Sequence, residues 1–326
     1  MASLFSSAKT WSCSTIPNLA NKVYVVTGGT AGIGYGIVSN LLSHKPQKIY
    51  MLSEQPHHAE LAEQDLAKYG DPSLVEYIKC DLRDLKEVDR TAKKLKELRR
   101  IDALVCNAGV GVGVYNESKD GIDTHFQINH LSQMHLILSL LPNLLKTAQE
   151  HHDARVVCQS SELHAMSPSD VKFESLEEIN KDIGPSYLYN RSKLAQILFI
   201  RGLVQRLNDG RVGDGKNIGL ANLFCNATNP GAVSTGQQDQ LEEAYGTVGK
   251  IAVAMGRPFM KDPITDGCLP ALYAATAEEI KTENITGQYI AAPNKVTDPS
   301  KQAQDQTLGD NLWKLSEKLL KEKLGA

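Results

Sequence analysis

KVYVVTGGTAGIG, at residues 22–34, joins a short apolar run to a cluster of glycines. The run predicts a buried strand that ends near Thr27, and the apolar residues after Gly32 follow a helical period. A strand, a glycine turn and a helix N-terminus form the first unit of a dinucleotide-binding βαβ fold. Glycine lets the backbone approach a pyrophosphate, and the first N–H groups of the helix face the anion. The alternative is a tight turn with a purely structural role.

The glycine spacing is T-G-x-x-x-G-x-G rather than G-x-G-x-x-G. This form resembles the short-chain dehydrogenase/reductase superfamily, and further motifs of that family follow in the expected order. The resemblance extends from about residue 20 to residue 324 and covers nearly the whole chain. At this turn it implies a cofactor site that includes Gly28, Thr30, Gly32, Ile33 and Gly34.

The chain has 326 residues and a formal net charge of −3, so it has no strong field to recruit nucleic acid or an anionic membrane. No apolar run approaches the roughly 20 residues needed to span a bilayer, and residues 1–20 lack the apolar core of a secretory signal. We expect residues 1–20 to form a poorly ordered or surface-draped tail. The six cysteines and nine histidines lack metal-site spacing, so we expect no metal and a reducing, cytoplasmic location.

Apolar strand-like segments alternate with amphipathic helical segments along the chain. This alternation predicts an α/β fold, in which residues 21–326 form a single Rossmann domain around a doubly wound parallel sheet of about seven strands. A long helical region at 121–149 is expected to be interrupted at Pro142, and residues 236–262 are expected to form a substrate lid. The predicted strands lie at 23–26, 48–52, 75–80, 102–106, 155–159, 218–226 and 287–290.

Tyr189 and Lys193 are four residues apart in a predicted helix at 186–207, which places them on the same helix face. A neighbouring ammonium favours the phenolate and is expected to bring the tyrosine pKa toward neutrality, so that the phenol can exchange a proton with an alcohol or a carbonyl. The pair resembles the Y-x-x-x-K motif of the family, in which the lysine also binds the nicotinamide ribose. Taken alone, the same spacing also occurs in ordinary helical contacts.

Ser160 and Ser161 follow a predicted buried strand, at the end where α/β sheets bind ligands. A hydroxyl there can hydrogen-bond a reacting carbonyl, although serines that only close a turn are equally common. Because neighbouring strand residues face opposite ways, only one serine can point into a cleft. The family alignment implies that it is Ser161, and it matches Asn129 to the residue that kinks its helix and holds a relay water near the lysine.

Three more segments resemble cofactor-binding motifs of the family. CNAG at 106–109 resembles its N-N-A-G floor under the adenosine, Asp81 matches the residue that binds the adenine amino group, and NPGAVST at 229–235 resembles the turn that contacts the carboxamide. The resemblance therefore implies that the cofactor site also includes Ser53, Glu54, Asp81, Leu82, Asn107, Ala108, Gly109, Tyr189, Lys193, Pro230, Gly231, Val233 and Thr235.

Segments such as YNRSKLAQILF look most like the branch that contains retinol dehydrogenases and WW-domain oxidoreductases, which acts on hydrophobic aldehydes, ketones and secondary alcohols. That branch usually places an arginine for the NADP 2′-phosphate where this chain has Glu54. A carboxylate repels a phosphate and can accept hydrogen bonds from the ribose of NAD, so we expect a modest preference for NAD(H) over NADP(H). His57 and His58 could offset it, or Glu54 could point to solvent.

These features predict an NAD(P)-dependent carbonyl reductase or alcohol dehydrogenase for a small hydrophobic substrate, in secondary or lipid- and steroid-like metabolism. The predicted catalytic residues are Asn129, Ser161, Tyr189 and Lys193. A homodimer is plausible, because the helices that begin near 121 and 186 commonly pair in the family. The alternative is a catalytically silent relative that senses nucleotides or acts as a scaffold.

Overall fold

The computed structural model describes residues 11–212, 222–234, 244–246 and 260–325. Within these residues, eight strands form one sheet in the spatial order β3-β2-β1-β4-β5-β6-β7-β8. All neighbouring strands are parallel except β7 and β8. The strands are β1 Val23–Thr27, β2 Lys48–Ser53, β3 Val75–Lys79, β4 Ala103–Cys106, β5 Ala154–Gln159, β6 Leu223–Asn229, β7 Tyr289–Ala291 and β8 Lys295–Thr297.

Helices cover both faces of this sheet, which confirms the predicted doubly wound α/β fold. Neighbouring residues of β1 enter opposite hydrophobic clusters: Val25 packs in one, and Tyr24 and Val26 in the other. The helices are α1 Gly32–Ser43, α2 Pro56–Leu66, α3 Leu85–Lys96, α4 Thr124–Phe126, α5 Ser132–His151, α6 Leu176–Ile179, α7 Pro185–Asn208, α8 Leu269–Thr276, α9 Glu278–Thr282 and α10 Gln306–Leu324.

The chain direction across the sheet reverses between β1 and β4, which are hydrogen-bonded neighbours. Strands β2 and β3 extend from β1 to one side, and β5, β6 and β7 extend from β4 to the other. Loops that leave β1 and β4 at their carboxyl ends therefore diverge and leave a crevice between them. Open α/β sheets bind their ligands at such a point.

The predicted break at Pro142 is wrong. Helix α5 continues through Pro142, and Leu140, Leu141 and Leu144 on either side of it are buried, so tertiary packing outweighs the missing N–H. The irregularity lies earlier, in a π turn at Gln127–Leu131 that contains Asn129.

The strands differ from the prediction at two further places. The sixth strand was predicted at 218–226, but β6 runs three residues farther, because residues 227–229 pair with β7 and residues 227–228 also pair with β5. Residues 218–221 lie outside the described residues. Strand β8 was not predicted, since it is a partly exposed three-residue strand with no apolar run.

Of the two alternatives for the N-terminal tail, residues 11–20 contradict the poorly ordered one and pack on the domain. Leu19 and Ile16 are buried, and the Trp11 ring packs edge-on against Tyr273 of α8 at a centroid distance of 5.4 Å. The predicted tail is therefore in part an element of the packed structure, and its residues 1–10 lie outside the described range. Most of the predicted lid at 236–262 also lies outside that range.

Helix α10 covers the side of α7 that faces away from the sheet. Trp313 of α10 stacks on Phe199 at 5.5 Å, and the Arg206 guanidinium lies 4.3 Å from the Trp313 ring. Ser316 is hydrogen-bonded to His130 at 2.8 Å. Residues 188–200 of α7 are all buried. No helix in the described ranges is long and apolar enough to cross a membrane.

Candidate active site

The glycine turn between β1 and α1 has the geometry of an anion cradle. Gly28 and Gly32 have φ angles of +64° and +53°, a region that glycine enters without strain. A Cβ on Gly34 would lie 2.0 Å from the Gly28 carbonyl oxygen, so only glycine fits there. Asn107 Nδ2 donates to the Thr27 carbonyl at 3.1 Å and ties the turn to the end of β4. The N-terminus of α1 is thereby left open toward a phosphate.

A cavity of about 580 Å³ lies above this turn, at the carboxyl ends of β1, β2, β4 and β5. Its volume is typical of a small-molecule site. Most of the predicted cofactor residues line it: Gly28, Thr30, Gly32, Ile33, Ser53, Glu54, Asp81, Leu82, Asn107, Ala108, Gly109, Tyr189, Lys193 and Pro230. The glycine cradle at one wall and the polar groups along the cavity fit a dinucleotide.

The predicted carboxamide turn lies beside the glycine turn. Gly231 has a φ of +76° and donates its N–H to Asn229 Oδ1 at 2.9 Å. A Cβ on Gly267 would lie 2.7 Å from a Val233 methyl carbon and 3.3 Å from an Ile33 side-chain carbon. Val233 and Ile33 therefore flank the same glycine, although Gly34, Gly231 and Val233 do not line the cavity itself. Thr235 lies outside the described residues.

Tyr189 is at the other end of the cavity, next to Ser161. Burial raises the pKa of Tyr189 to about 12, and a hydrogen bond with Ser161 lowers it only in part. The Ser161 hydroxyl also accepts the Leu163 N–H at 3.2 Å. The Ser160 hydroxyl instead donates to the backbone oxygen of Lys193 at 2.8 Å. Of the two serines, Ser161 is thus the one whose hydroxyl is bonded to the phenol, but it is Ser160 that lines the cavity.

Lys193 is almost fully buried, and its Nζ donates to Gln159 O at 2.8 Å and to Gln196 Oε1 at 3.1 Å. Burial lowers the pKa of Lys193 to about 7. Nζ lies 5.5 Å from the centre of the Tyr189 ring. The expected lowering of the tyrosine pKa by the lysine is therefore not observed: removal from water dominates at both groups and favours the neutral phenol and the neutral amine.

Asn129 is held by the backbone of the loop after β4. Its Oδ1 accepts the Val110 N–H at 2.8 Å, and its Nδ2 donates to Val110 O at 3.1 Å and to Ser192 Oγ at 2.8 Å. A Cβ on Gly109 would lie 2.8 Å from Asn129 Oδ1 and 3.5 Å from Lys193 Nζ. Gly109 therefore lets Asn129 and Lys193 come together, and the π turn aims Asn129 at this point.

Arg83, which the sequence analysis did not single out, lines the opposite end of the cavity. Its guanidinium forms an ion pair with Glu54, and its Nε lies 3.1 Å from Asp81 Oδ1. The Arg83 N–H also donates to Asp81 Oδ1 at 2.9 Å. Thr30 donates to Ser53 Oγ at 2.9 Å, so these two small side chains occupy the wall between the glycine turn and Glu54. Arg83 directly follows Asp81 and Leu82, which were predicted to bind the cofactor, and this position in the sequence could have identified Arg83 as a site residue.

His164 is a second residue that the sequence analysis did not assign to the site. Its Nδ1 is bonded to the Ser161 carbonyl at 2.7 Å, and its Nε2 accepts the Ser300 N–H at 3.0 Å. The second bond makes Nδ1 the protonated nitrogen. His164 thus ties the Ser161 loop to the segment before α10. No cluster suited to a metal ion occurs among the residues that the structure describes.

Comparison with known proteins agrees with this geometry. Residues 22–170 match the family model for short chain dehydrogenases. The chain is 37% identical over 316 residues to the mitochondrial oxidoreductase bli-4 of Neurospora crassa, covering 94% of this chain and 73% of that protein. It is 29% identical over 315 residues to the human WW domain-containing oxidoreductase, covering 95% of this chain and 70% of that protein.

The fold also matches a solved structure along almost its full length. A crystal structure of a Mycobacterium paratuberculosis protein, described only as uncharacterized, superposes with a TM-score of 0.72 at 25% sequence identity. The match covers 95% of this chain and 97% of the other. Similarity to the WW domain-containing oxidoreductases agrees with the branch that the sequence motifs indicated.

Proposed function

Because this chain belongs to the short-chain dehydrogenase/reductase family and is an NAD(P)-dependent oxidoreductase, we propose that it reduces hydrophobic ketones or aldehydes, or oxidises the corresponding alcohols. One observation carries the proposal: Tyr189 and Lys193 line the cavity that begins at the glycine turn, and Tyr189 is hydrogen-bonded to Ser161. A carbonyl beside Tyr189 would thus lie in the same cavity as the dinucleotide.

The nicotinamide dinucleotide supplies or accepts the hydride when it is bound. Ser161 orients the carbonyl oxygen and stabilises the negative charge that develops on it. Tyr189, whose pKa is raised to about 12, is protonated at neutral pH and donates its proton to that oxygen. The phenolate that remains favours the protonated form of Lys193, whose Nζ lies 5.5 Å from the ring centre, and this ammonium in turn stabilises the phenolate. Asn129 holds the loop at Val110 and completes the polar wall beside Lys193.

A hydrophobic substrate is supported by the side chains around the first turns of α7. Met166, Tyr187 and Tyr245 are exposed by 62%, 51% and 41%, although all three are large and mainly apolar. Asn190 donates to Met166 O at 3.1 Å, and the Tyr245 hydroxyl is 2.8 Å from Ser186 Oγ. Met166 and Tyr245 therefore lie against the first turns of α7, and Tyr187 is two residues before Tyr189 in the same helix. Exposed apolar side chains near a reactive group favour an apolar ligand.

The finer assignments belong to the same proposal. Glu54 lines the cavity, and we propose that it gives a modest preference for NAD(H). The six cysteines are free thiols, which supports a reducing and cytoplasmic location, although the similar protein from Neurospora is named mitochondrial. We also propose a homodimer, as the family resemblance implies. A silent nucleotide sensor is disfavoured, since such a protein has no chemical need for the Ser161–Tyr189–Lys193 arrangement.

Tyr189→Phe tests the proposal. Removal of the hydroxyl deletes the proton donor but keeps the ring, so we expect kcat/KM for a good carbonyl substrate to fall by roughly 10²–10⁴-fold, with NADH binding retained. Tyr69→Phe is the matched control, because Tyr69 follows α2 and does not line the cavity. Turnover by Tyr189→Phe within a few-fold of the parent would contradict the assignment. If the parent protein binds neither NADH nor NADPH, the assignment of the chain as an oxidoreductase is contradicted.

A further inference from the structure

Arg83 is clasped between two carboxylates at the adenosine end of the cavity. Its guanidinium is paired with Glu54 at the end of β2 and with Asp81 at the end of β3. Nε and Nη2 lie 3.1 Å and 3.3 Å from the two Asp81 oxygens. These hydrogen bonds raise the pKa of Arg83, and its charge is therefore fixed at any physiological pH.

The ion pair between Arg83 and Glu54 is exposed enough to break when a ligand binds. The Arg83 and Glu54 side chains are 48% and 35% exposed, so the ion pair between them is solvated and weak. A guanidinium binds phosphate in a bidentate manner and more strongly than it holds an exposed carboxylate. A phosphate at this end of the cavity can therefore take Arg83 away from Glu54 at little cost.

Arg83 also has few competitors for this role. Among the described residues that line the cavity, the basic side chains are His58, Arg83 and Lys193. Lys193 is at the opposite end beside Tyr189, and its Nζ is bonded to Gln159 O. Thr30 and Ala31 occupy the turn positions where the family often carries a basic residue. Arg83 is thus the permanently charged side chain that a phosphate on the adenosine ribose would contact.

We propose that Arg83 is the residue that recognises the 2′-phosphate of NADP(H), and that Glu54 sets cofactor preference by holding Arg83 as well as by repelling the phosphate. The inference rests on the dinucleotide site of the proposed function. It predicts that NAD(H) preference is shallow and that loss of Glu54 releases Arg83 for the phosphate. In the alternative, Glu54 acts through its own charge and Arg83 is a surface residue.

The probes are adenosine 2′,5′-bisphosphate and adenosine 5′-monophosphate, which differ only in the 2′-phosphate and need no turnover. Their dissociation constants, and those of NADPH and NADH, are measured by calorimetry or fluorescence for the parent, Arg83→Gln, Glu54→Gln and the double variant. Arg90→Gln is the matched control, since Arg90 is exposed on α3 and does not line the cavity.

We expect Arg83→Gln to weaken the bisphosphate and NADPH by about tenfold or more, the scale of a charge-assisted contact, and to leave the monophosphate and NADH within about threefold of the parent. Glu54→Gln is expected to tighten NADPH by about tenfold, because one repulsive charge is removed and Arg83 is freed. Against the Arg83→Gln background the same Glu54→Gln change should give a clearly smaller gain, because only the removal of the repulsive charge remains.

Two results would overturn the inference. Equal weakening of the bisphosphate and the monophosphate by Arg83→Gln would give Arg83 a general role in the pocket rather than recognition of the phosphate. A full NADPH gain in the double variant would mean that Glu54 acts without Arg83. If the parent binds the probes and dinucleotides but Tyr189→Phe keeps its turnover, the proposed catalytic role of Tyr189 is contradicted and the inference about Arg83 is not. If the parent binds none of these ligands, both are contradicted.

Discussion

Lys193 and Tyr189 show how burial tunes a reactive pair. The lysine is enclosed by the end of β5 and by α7, and its pKa falls from 10.5 to about 7, whereas that of the tyrosine rises from 10.0 to about 12. Both shifts come first from desolvation, which disfavours an ammonium and a phenolate alike. Burial of Lys193 therefore lowers the free energy of unfolding of the ligand-free protein, an effect that an exposed lysine would not have.

This cost gives a pH-dependent prediction for Lys193→Met. The folded-state pKa of Lys193 lies below its unfolded value, so the penalty is complete below about pH 7 and fades as the pH rises toward 10.5. The advantage of Lys193→Met in free energy of unfolding should therefore shrink by on the order of 1 kcal/mol for each pH unit between 7 and 10. Urea unfolding of the ligand-free proteins at pH 6, 8 and 10 measures it.

The control for that series is Lys314→Met, which changes an exposed lysine of α10. Its effect on the free energy of unfolding should not follow the trend of Lys193→Met. An advantage of Lys193→Met that stays constant from pH 6 to pH 10 would show that Lys193 is not held in a depressed-pKa environment.

For individual residues, the sequence was informative where the spacing of a motif fixes how its side chains are arranged. Tyr189 and Lys193 are four residues apart in a helix, and Ser161 follows a buried strand, so their approach could be expected before any coordinates. The direction of the Tyr189 pKa could not, because it depends on how completely the surrounding elements exclude water. Arg83 was missed for a similar reason: its partners Glu54 and Asp81 follow different strands, which only the sheet brings side by side.

The glycine turn is the element on which cofactor binding depends. Gly34→Ala would place a Cβ 2.0 Å from the Gly28 carbonyl oxygen and 2.5 Å from Asn107 Nδ2, both of which are fixed parts of the turn. The turn must open to accept it, so we expect a loss of about 1–3 kcal/mol of stability from overpacking and a clear loss of dinucleotide affinity.

Gly309→Ala provides the comparison within a helix. The nearest atoms to a Cβ there are 3.9 Å away, on Leu198, and alanine is the better helix former. This variant should gain up to about 1 kcal/mol of stability and bind the dinucleotide as the parent does. Thermal unfolding and fluorescence titration report both quantities; a Gly34→Ala protein with parental affinity would argue against the cradle.

Element prediction worked where one local signal dominates. The apolar run of β1 and the glycines after it gave the strand and the turn correctly. It failed at Pro142, where the packing of the surrounding leucines keeps α5 helical, and at β8, which pairs with β7 without an apolar pattern of its own. The π turn at Gln127–Leu131 was located only through the resemblance of Asn129 to the family's kinking residue.

In the whole molecule, one sheet separates two hydrophobic clusters and carries the cavity at its carboxyl edge. The alternation of strands and helices was sufficient to predict this topology, since parallel strands need crossover helices on both faces. The same alternation could not predict which terminal segments pack on the outside of this sheet and its helices. Residues 11–20 contain only a few apolar side chains, and the stacking of Trp313 on Phe199 joins segments more than a hundred positions apart.

Hydride transfer in this cavity can be followed directly with a reduced nicotinamide dinucleotide that carries deuterium at both C4 positions. Incubation of the purified chain with a panel of hydrophobic ketones should yield alcohol with a single deuterium on the carbinol carbon, and Tyr189→Phe should yield almost none. Alcohol that forms without deuterium, or at an equal rate with Tyr189→Phe, would contradict the account.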